Sequence, residues 1–359
     1  MTANPRAAAW ALVGAALLLL PVVLQPLGTH WVRTADTCLL YVMLALGMNV
    51  VVGHAGLLDL GYVAFYAVGA YLCALLASPH LTEQFAWIAA MFPTGLHGAW
   101  WLIVPAAAML AATFGVLLGL PTLKLRGDYL AIVTLGFGEI VRILINNLGR
   151  PVNLTNGAQG VGPIDSLRVV GLDLGRPQSI GGMTVEPVTL YYYLFLTLTV
   201  LAVVVCRRVQ ASRIGRAWMA LRDDEVAAAA MGIDTRNLKL LAFAVGASFG
   251  GVAGALFGAF QGFISPEAFT LQESVAIVAM VVFGGMGHIR GVILGAVLMT
   301  ALPETLRYVV NPLQAMTEGR LDAGILRQLL IALAMIVTML LRPHGLWPAP
   351  EHGRSLPPT

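Results

Sequence analysis

Charged residues are scarce in this sequence. Only 11% of its 359 residues are Asp, Glu, Lys or Arg, 58% are apolar, and the mean hydropathy is +0.82. A soluble domain carries roughly 25% charged residues. So few charges cannot cover a water-facing surface of this size. The composition therefore excludes an ordinary soluble domain and indicates a protein that crosses a membrane many times.

Cysteine and lysine are also rare. The three cysteines, Cys38, Cys73 and Cys206, lie in apolar runs, and their spacing fits neither a metal site nor a disulfide framework. The two lysines, Lys124 and Lys239, do not fit the Gly-x-x-x-x-Gly-Lys-Ser/Thr frame of a phosphate-binding loop. No Cys/His, Ser/His/Asp or paired-carboxylate pattern suggests catalysis. The chain is predicted not to be an enzyme, and any ATP-derived energy must come from a separate chain.

Long apolar runs are what the sequence does contain. About 20 apolar residues cross a membrane. Ten runs come close to that length: roughly 7–27, 37–53, 56–77, 100–121, 129–147, 189–206, 239–263, 271–287, 291–310 and 324–342. We interpret the first run as a retained helix, because it is long for a signal peptide and no small-x-small cleavage site follows it. The predicted fold is an all-α polytopic membrane protein with about ten transmembrane helices in one domain, residues 1–359.

Two of these runs, 37–53 and 56–77, are separated by Gly53-His54-Ala55-Gly56. Glycines at this point predict a broken or re-entrant passage instead of a clean turn. Irregular backbone at membrane depth is tolerated only where protein or a water-filled cavity surrounds it.

Basic residues set the orientation. With ten spans and both termini cytoplasmic, thirteen of the 21 Lys and Arg residues fall in inner segments and five in outer loops. Seven of them lie in a polar island, residues 207–239, which is therefore predicted to be cytoplasmic. The Gly-, Pro- and Asn-rich segment 148–188 is predicted to be an ordered, irregular outer loop that caps the outer mouth. The net charge of +3 is small and follows from this clustering, so no nucleic-acid partner is implied.

The island contains the signals of a short helix. Asp223 and Asp224 are good N-cap residues, and Glu225 adds negative charge to the first turn. The run 226–231 favours helix, and Gly232 is a natural C-terminal stop. The predicted helix has about two turns and an Ala-rich surface that lets another protein approach closely. The alternative is an ordinary cytoplasmic loop that serves only membrane insertion.

Glycines and in-span charges form two further patterns. One run repeats glycine at every fourth position, which predicts close helix packing, or else a sliding seam or subunit interface; the row is Gly246, Gly250, Gly254, Gly258 and Gly262. Glu139 and Glu304 each have an Arg three residues later, so each is expected to form a self-neutralising pair. Asp59 and Glu273 lack such local partners, and they either line a polar pathway or lie near a membrane interface.

Four segments, in this order, resemble a known family: Gly53-His-Ala-Gly56-Leu-Leu-Asp59-Leu-Gly61, Leu125-Arg126-Gly127-Asp128-Tyr129, Gly215-Arg216-Ala-Trp-Met-Ala-Leu-Arg222-Asp-Asp-Glu225, and Gly284-Gly285-Met-Gly287-His-Ile-Arg290-Gly291. Over roughly residues 35–345 the chain resembles the LivM-type permeases of branched-chain amino acid ABC importers. The resemblance implies an ABC importer permease fold in the bacterial inner membrane. It also implies a homologous second permease that completes a heterodimer, two ATPase subunits that bind ATP and Mg, and a periplasmic amino-acid-binding protein. No cofactor or metal is expected in this chain.

The resemblance also implies that the island is the loop that couples to the ATPase, through a cytoplasmic helix over residues 217–232. Its predicted contact residues are Arg216, Trp218, Arg222, Asp223, Glu225 and Gly232. The family's general Glu-Ala-Ala-x-x-x-Gly form places Glu six residues before Gly, whereas Glu225 precedes Gly232 by seven.

Gaps in hydrophobicity and in-span charges predict the translocation pathway at Gly53, Gly56, Asp59, Glu139 and Glu273. The expected cargo is Leu, Ile, Val or a related neutral amino acid. Urea and short amides use similar permeases and remain open as cargo. A stand-alone ion-coupled carrier, which would use unpaired carboxylates at the midplane, is the alternative of another class.

Overall fold

The computed structural model describes residues 5–92, 95–123, 125, 127–150, 153–169, 171–180, 183–316, 323–342 and 345–347. Within these residues fourteen α-helices follow one another: α1 (Pro5–Leu24), α2 (Thr29–Met48), α3 (Val63–Leu76), α4 (His80–Gln84), α5 (Ala86–Met91), α6 (Trp100–Thr122), α7 (Asp128–Asn147), α8 (Pro187–Ala211), α9 (Arg213–Asp223), α10 (Glu225–Ala230), α11 (Thr235–Gln261), α12 (Leu271–Gly284), α13 (Ile289–Met316) and α14 (Ala323–Leu341).

Six helical stretches of the described chain are long and apolar enough to cross a membrane: Thr29–His54, Trp100–Thr122, Pro187–Ala211, Thr235–Gln261, Pro266–Gly284 and Ile289–Tyr308. Three shorter apolar helices accompany them: Val13–Leu24, Val63–Leu76 and Gln328–Leu341. Each of the ten predicted runs contains a helix, but length and composition do not confirm ten crossings. Lys124, Arg126, Arg320 and Arg354, which entered the count of basic residues, lie outside the described residues.

The glycine-rich break interrupts the second passage. Helix α2 starts at Thr29, before the predicted position 37, and its last turns widen into a π-helix at Asn49–His54. The Leu57 N–H there reaches back to the Val51 carbonyl at 3.0 Å. The backbone is then irregular until α3 begins at Val63, so α3 has only 14 residues where 56–77 had been predicted. Wide turns of this kind are frequent at functional sites.

Helix α11 packs closely against α3 and α6, and its glycines explain how. A methyl group at Gly254 would lie 2.8 Å from the Ala70 nitrogen, and one at Gly250 would lie 3.1 Å from the Phe65 Cβ. Gly246 meets Val51 and Gly258 meets the Ala70 carbonyl in the same way. The glycine row is therefore a packing seam inside the chain.

The prediction that Gly262 takes part in this helix packing is wrong. No atom lies within 4 Å of a methyl group added there, and its φ is +72°. Its N–H donates to the Gly258 carbonyl at 3.0 Å. The residue ends α11 in the left-handed conformation that glycine adopts without strain, and it does not pack against another helix.

Short strands appear in the segment predicted to be the outer loop, and the all-α prediction did not include them. β1 (Arg168–Val169) pairs with β2 (Leu172–Asp173), and β3 (Gln178–Ile180) pairs with β4 (Met183–Val185), both antiparallel. The Ser166 hydroxyl donates to the Asp173 carboxylate, and this hydrogen bond is the main reason why the pKa of Asp173 is lowered.

The loop is tied to the helix ends beneath it. The Asp165 N–H donates to the Ala77 carbonyl, the residue after α3, at 2.7 Å. The Val161 N–H donates to the Ile264 carbonyl, just beyond α11, at 2.9 Å. The described parts of the loop therefore cover the ends of α3 and α11.

Candidate functional site

The polar island folds into two short helices. The short helix predicted from its capping residues is present as α10, whereas the coupling helix expected over residues 217–232 is divided at Asp224 between α9 and α10. Asp224 has an extended backbone and separates α9 from α10. Its carboxylate accepts hydrogen bonds from the Val226 and Ala227 N–H groups at 2.8 and 3.1 Å, which makes it the N-cap of α10. Asp223, the other predicted cap, is the last residue of α9.

Gly232 ends α10 as its position predicted. Its φ is +82°, and its N–H donates to the Ala229 carbonyl at 3.0 Å. The Ile233 N–H donates to the Ala228 carbonyl at 3.1 Å. This pair of hydrogen bonds is the Schellman motif, which satisfies the last carbonyls of a helix.

Trp218 and Glu225 attach the helix pair to the membrane helices. Trp218 is 1% exposed, and its Nε1 donates to the Leu238 carbonyl of α11 at 2.9 Å. Glu225 Oε1 lies 2.6 Å from Lys239 Nζ, and the two side chains are 24% and 6% exposed. Lys239 Nζ also reaches the Leu123 carbonyl, just after α6, at 3.5 Å. Both predicted contact residues therefore bind within this chain.

Arg222 connects the helix pair to the broken passage. Its Nη1 donates to the Gly53 carbonyl at 2.6 Å, although the two residues are 169 positions apart. The Arg222 stem lies against Gly56, where a methyl group would come within 2.9 Å of its Cγ. Gly56 also has a φ of +69°, so both the contact with Arg222 and the backbone conformation disfavour a larger residue.

The turn between α12 and α13 completes this junction. The Gly287 N–H donates to Asn49 Oδ1 at 2.8 Å. A methyl group at Gly287 would lie 2.9 Å from Arg222 Nη1 and 3.1 Å from the Gly53 carbonyl. Three separate parts of the chain thus meet at one point, which we call the coupling junction: Asn49–His54, Arg222 and Gly287.

The side of α10 that faces away from Glu225 and the buried Ala228 is exposed. Val226 and Met231 are 64% and 83% exposed, and Ala227, Ala229 and Ala230 lie beside them. We call these five residues the α10 face. Sequence reasoning identified its alanines but not Val226 and Met231. The signal in the sequence was that Val226 and Met231, two large apolar residues, stand at the two ends of an alanine run in an otherwise polar segment.

The remaining predicted coupling residues are at the surface. Arg216 is exposed, and its Nη1 donates to the Ala211 carbonyl at the end of α8 at 3.0 Å. Asp223 is also exposed.

The predicted pathway carboxylates have different surroundings. Asp59 is fully buried, and its Oδ1 accepts from the Gly61 N–H at 2.9 Å. Its Oδ2 is buried with no hydrogen-bond partner among the described residues. Glu139 is paired with Arg142 at 2.9 Å, as its spacing predicted. Glu273 accepts from the Tyr41 hydroxyl at 2.8 Å, a partner that lies 232 positions away.

Two hydroxyl groups missed by sequence reasoning hold the start of α3. Thr134 Oγ1 on α7 accepts from the Leu60 N–H at 2.9 Å, and Ser274 Oγ on α12 accepts from the Val63 N–H at 3.0 Å. Beside them lies a crevice too narrow to hold a water molecule; its lining is Leu60, Val63, Leu135, Gly138, Glu139, Phe269 and Leu271. The broken passage, the middle of α7 and the start of α12 therefore meet inside the helical bundle.

The described chain combines apolar helices, a broken passage held by side-chain hydroxyls, and a surface helix pair bonded to that passage. Broken helices of this kind are typical of membrane-transport proteins. The chain belongs to the family described as the permease component of branched-chain amino acid transport systems, whose model matches residues 32–339.

Individual relatives agree with this assignment. The chain is 41% identical over 329 residues to the high-affinity branched-chain amino acid transport system permease protein LivM of Escherichia coli K12, covering 88% of this chain and 70% of the relative. It is 25% identical to a probable LivM of Methanocaldococcus jannaschii, over 86% of this chain and 90% of the relative. It is 26% identical to LivH of Salmonella typhimurium, over 72% and 79%. The predicted LivM-type resemblance is confirmed. No solved structure matches the chain significantly.

Replacing Lys239 with Ala should loosen the helix pair. The change removes the ammonium group that faces the Glu225 carboxylate. Breaking a buried ion pair costs about 3–5 kcal/mol, and we expect about 3 kcal/mol because Glu225 is partly solvated. The measurements are the thermal unfolding midpoint in detergent and the rate of chymotrypsin cleavage within 212–234. Arg236→Ala, an exposed position on the same helix, is the control, and equal midpoints for the two variants would refute the role of the pair.

Proposed function

We propose that this chain is a permease subunit of an ATP-driven importer for branched-chain and related neutral amino acids. Its family and its relatives' names support the cargo class. The observation that carries the mechanism is the hydrogen bond from Arg222 to the Gly53 carbonyl. It joins a surface helix pair directly to the broken membrane passage. A displacement of that pair would therefore be transmitted to the passage.

The proposed partners follow from what each surface offers. Two ATPase subunits, which bind ATP and Mg, supply energy, one of them through the α10 face. A homologous second permease completes the membrane part, as the likeness to both LivM and LivH supports. A periplasmic amino-acid-binding protein delivers the cargo to the side of the outer loop.

The proposed location is the bacterial inner membrane, with both termini in the cytoplasm. Residues 345–347 contact the α12–α13 turn, which belongs to the coupling junction. The Tyr192 hydroxyl near the start of α8 bonds the Leu17 carbonyl in the last two turns of α1, so the start of α1 points toward the opposite end of α8, where α9 follows. These contacts support one side for both ends, the side of the basic island.

The pathway proposal centres on the point where α3 begins. Asp59 lies in the irregular stretch before α3. Side-chain hydroxyls hold this stretch instead of a helix ladder: Thr134 accepts from the Leu60 N–H, and Ser274 accepts from the Val63 N–H. Such a segment changes conformation at lower cost than a continuous helix does. We infer that movement of Arg222 shifts Gly53 and Gly56 and thereby reshapes the passage beside Glu139 and Glu273.

Asp36 is the observation that most favours the ion-coupled alternative. It lies on α2, is 0% exposed, and neither of its carboxylate oxygens has a hydrogen-bond partner among the described residues. A buried carboxylate within a membrane helix is by default a functional candidate. A carrier of this kind would transport without an ATPase, so one reconstitution experiment separates the two functions.

Reconstitution with its partners tests the proposal directly. We expect proteoliposomes with the second permease, the ATPase chains and the binding protein to accumulate radiolabelled leucine only with ATP inside the compartment that faces the ATPases. The chain alone, with a proton or sodium gradient, should transport nothing. Accumulation of urea or acetamide in place of leucine would show that the cargo is wrong. Gradient-driven uptake by the chain alone would show that the proposal of an ATP-driven importer is wrong.

Charging the α10 face should prevent ATPase binding. In Val226→Asp and Met231→Asp, a carboxylate must be desolvated against the partner, so we expect copurified ATPase to fall at least about tenfold, equivalent to about 1.4 kcal/mol. Leu172→Asp makes the same kind of change at an exposed apolar residue of the outer loop and should leave the complex intact. Normal recovery of the ATPase with both variants would exclude this face as the docking site.

Removing the Arg222 side chain should uncouple ATP hydrolysis from uptake while the complex stays assembled. A hydrogen bond from a charged group contributes about 1.5–3 kcal/mol. For Arg222→Ala we therefore expect ATP-driven leucine uptake to fall about tenfold or more, while ATPase copurification and hydrolysis persist. The control is Arg213→Ala, at the exposed start of the same helix. Uptake by Arg222→Ala at the level of this control would contradict the coupling role.

A further inference from the structure

The segment after α14 folds back onto the end of α12. The Leu346 N–H donates to the Phe283 carbonyl at 2.9 Å, and the Trp347 N–H donates to the Gly284 carbonyl at 3.1 Å. Phe283 and Gly284 are the last two residues of α12, and the final carbonyls of a helix have no partner within it. Residues 345–347 therefore supply the hydrogen bonds that α12 cannot supply for itself.

The fit of this segment to the α12–α13 turn is close. Gly345 has a φ of +85°, and a methyl group there would lie 2.6 Å from the Gly285 Cα. A methyl group at Gly291 would lie 2.7 Å from the Trp347 carbonyl. The Trp347 and His288 rings have their centroids 6.1 Å apart. Backbone and rings thus hold the turn from both of its ends.

The same turn bears Gly287, which bonds Asn49 and packs against Arg222. We propose that residues 345–347 are a positioning segment for coupling, here called the 345–347 clamp. It fixes the turn so that Gly287 keeps its contacts with Asn49 and Arg222 when α9 moves. This inference rests on the proposed coupling function but concerns residues that do not touch Arg222.

Gly345→Ala tests the clamp, because the added methyl group meets Gly285 and glycine alone adopts φ +85° without strain. The matched control is Gly171→Ala, which has a φ of +84° with no atom within 4 Å of the added methyl group. We expect the leucine taken up per ATP hydrolysed to fall about fivefold or more in Gly345→Ala and to stay unchanged in the control. Equal amounts of assembled complex show that the loss is one of coupling.

A second variant serves if Gly345→Ala fails to fold. Trp347→Ala should lower the same ratio, and Trp347→Phe should restore most of it, because a ring beside His288 is retained. A purely structural role would instead lower assembly and hydrolysis together with uptake.

Thiol labelling of the turn separates the clamp from the proposed function. Met286 is partly exposed, whereas Cys38, Cys73 and Cys206 are buried, so Met286→Cys should be the main reactive thiol. In the chain without partners, we expect its labelling to accelerate at least threefold when Gly345→Ala is added, and not when Gly171→Ala is added. Unchanged labelling overturns the clamp whatever the transport assay shows. Faster labelling with an unchanged coupling ratio overturns its role in coupling.

Discussion

The structure depends on how one backbone carbonyl is satisfied at a break in a membrane helix. A buried carbonyl without a hydrogen bond costs several kcal/mol in hydrocarbon, so a broken helix needs donors from elsewhere. The widened turn at Asn49–His54 exposes the Gly53 carbonyl, and Arg222 supplies the donor at 2.6 Å. The break and the surface helix pair therefore depend on each other: the break is satisfied by Arg222, and Arg222 is held in place by the break.

Local chemistry was readable from the sequence. The cap at Asp224, the stop at Gly232 and the Glu139–Arg142 pair each involve residues within a few positions of one another, and each is present. Spacing alone therefore determines whether such groups meet. The glycines at 53 and 56 likewise predicted a break, because helix is unfavourable where glycines cluster.

Long-range partners were not readable in this way. Arg222 with Gly53, and Tyr41 with Glu273, are separated by 169 and 232 positions, and only the packed fold brings them together. Burial was not readable for the same reason. Trp218 and Glu225 occur in a polar segment and are predicted to contact the ATPase, and the fold also brings both of them against α11. Composition identifies a surface segment but does not say which of its faces is turned inward.

The contrast between the packing seam and the break gives the proposed mechanism its direction. Along the seam of α11, glycines allow backbone to touch backbone, and a core packed at that density moves as a unit. At residues 53–63 scattered side-chain hydrogen bonds hold the backbone: Arg222 donates to the Gly53 carbonyl, and Thr134 and Ser274 accept from backbone N–H groups. A displacement applied to α9 meets a continuous helix on one side and, on the other, a segment that has no helix hydrogen-bond ladder. We therefore infer that, in the proposed mechanism, the segment without a helix ladder is the part that changes conformation when α9 moves.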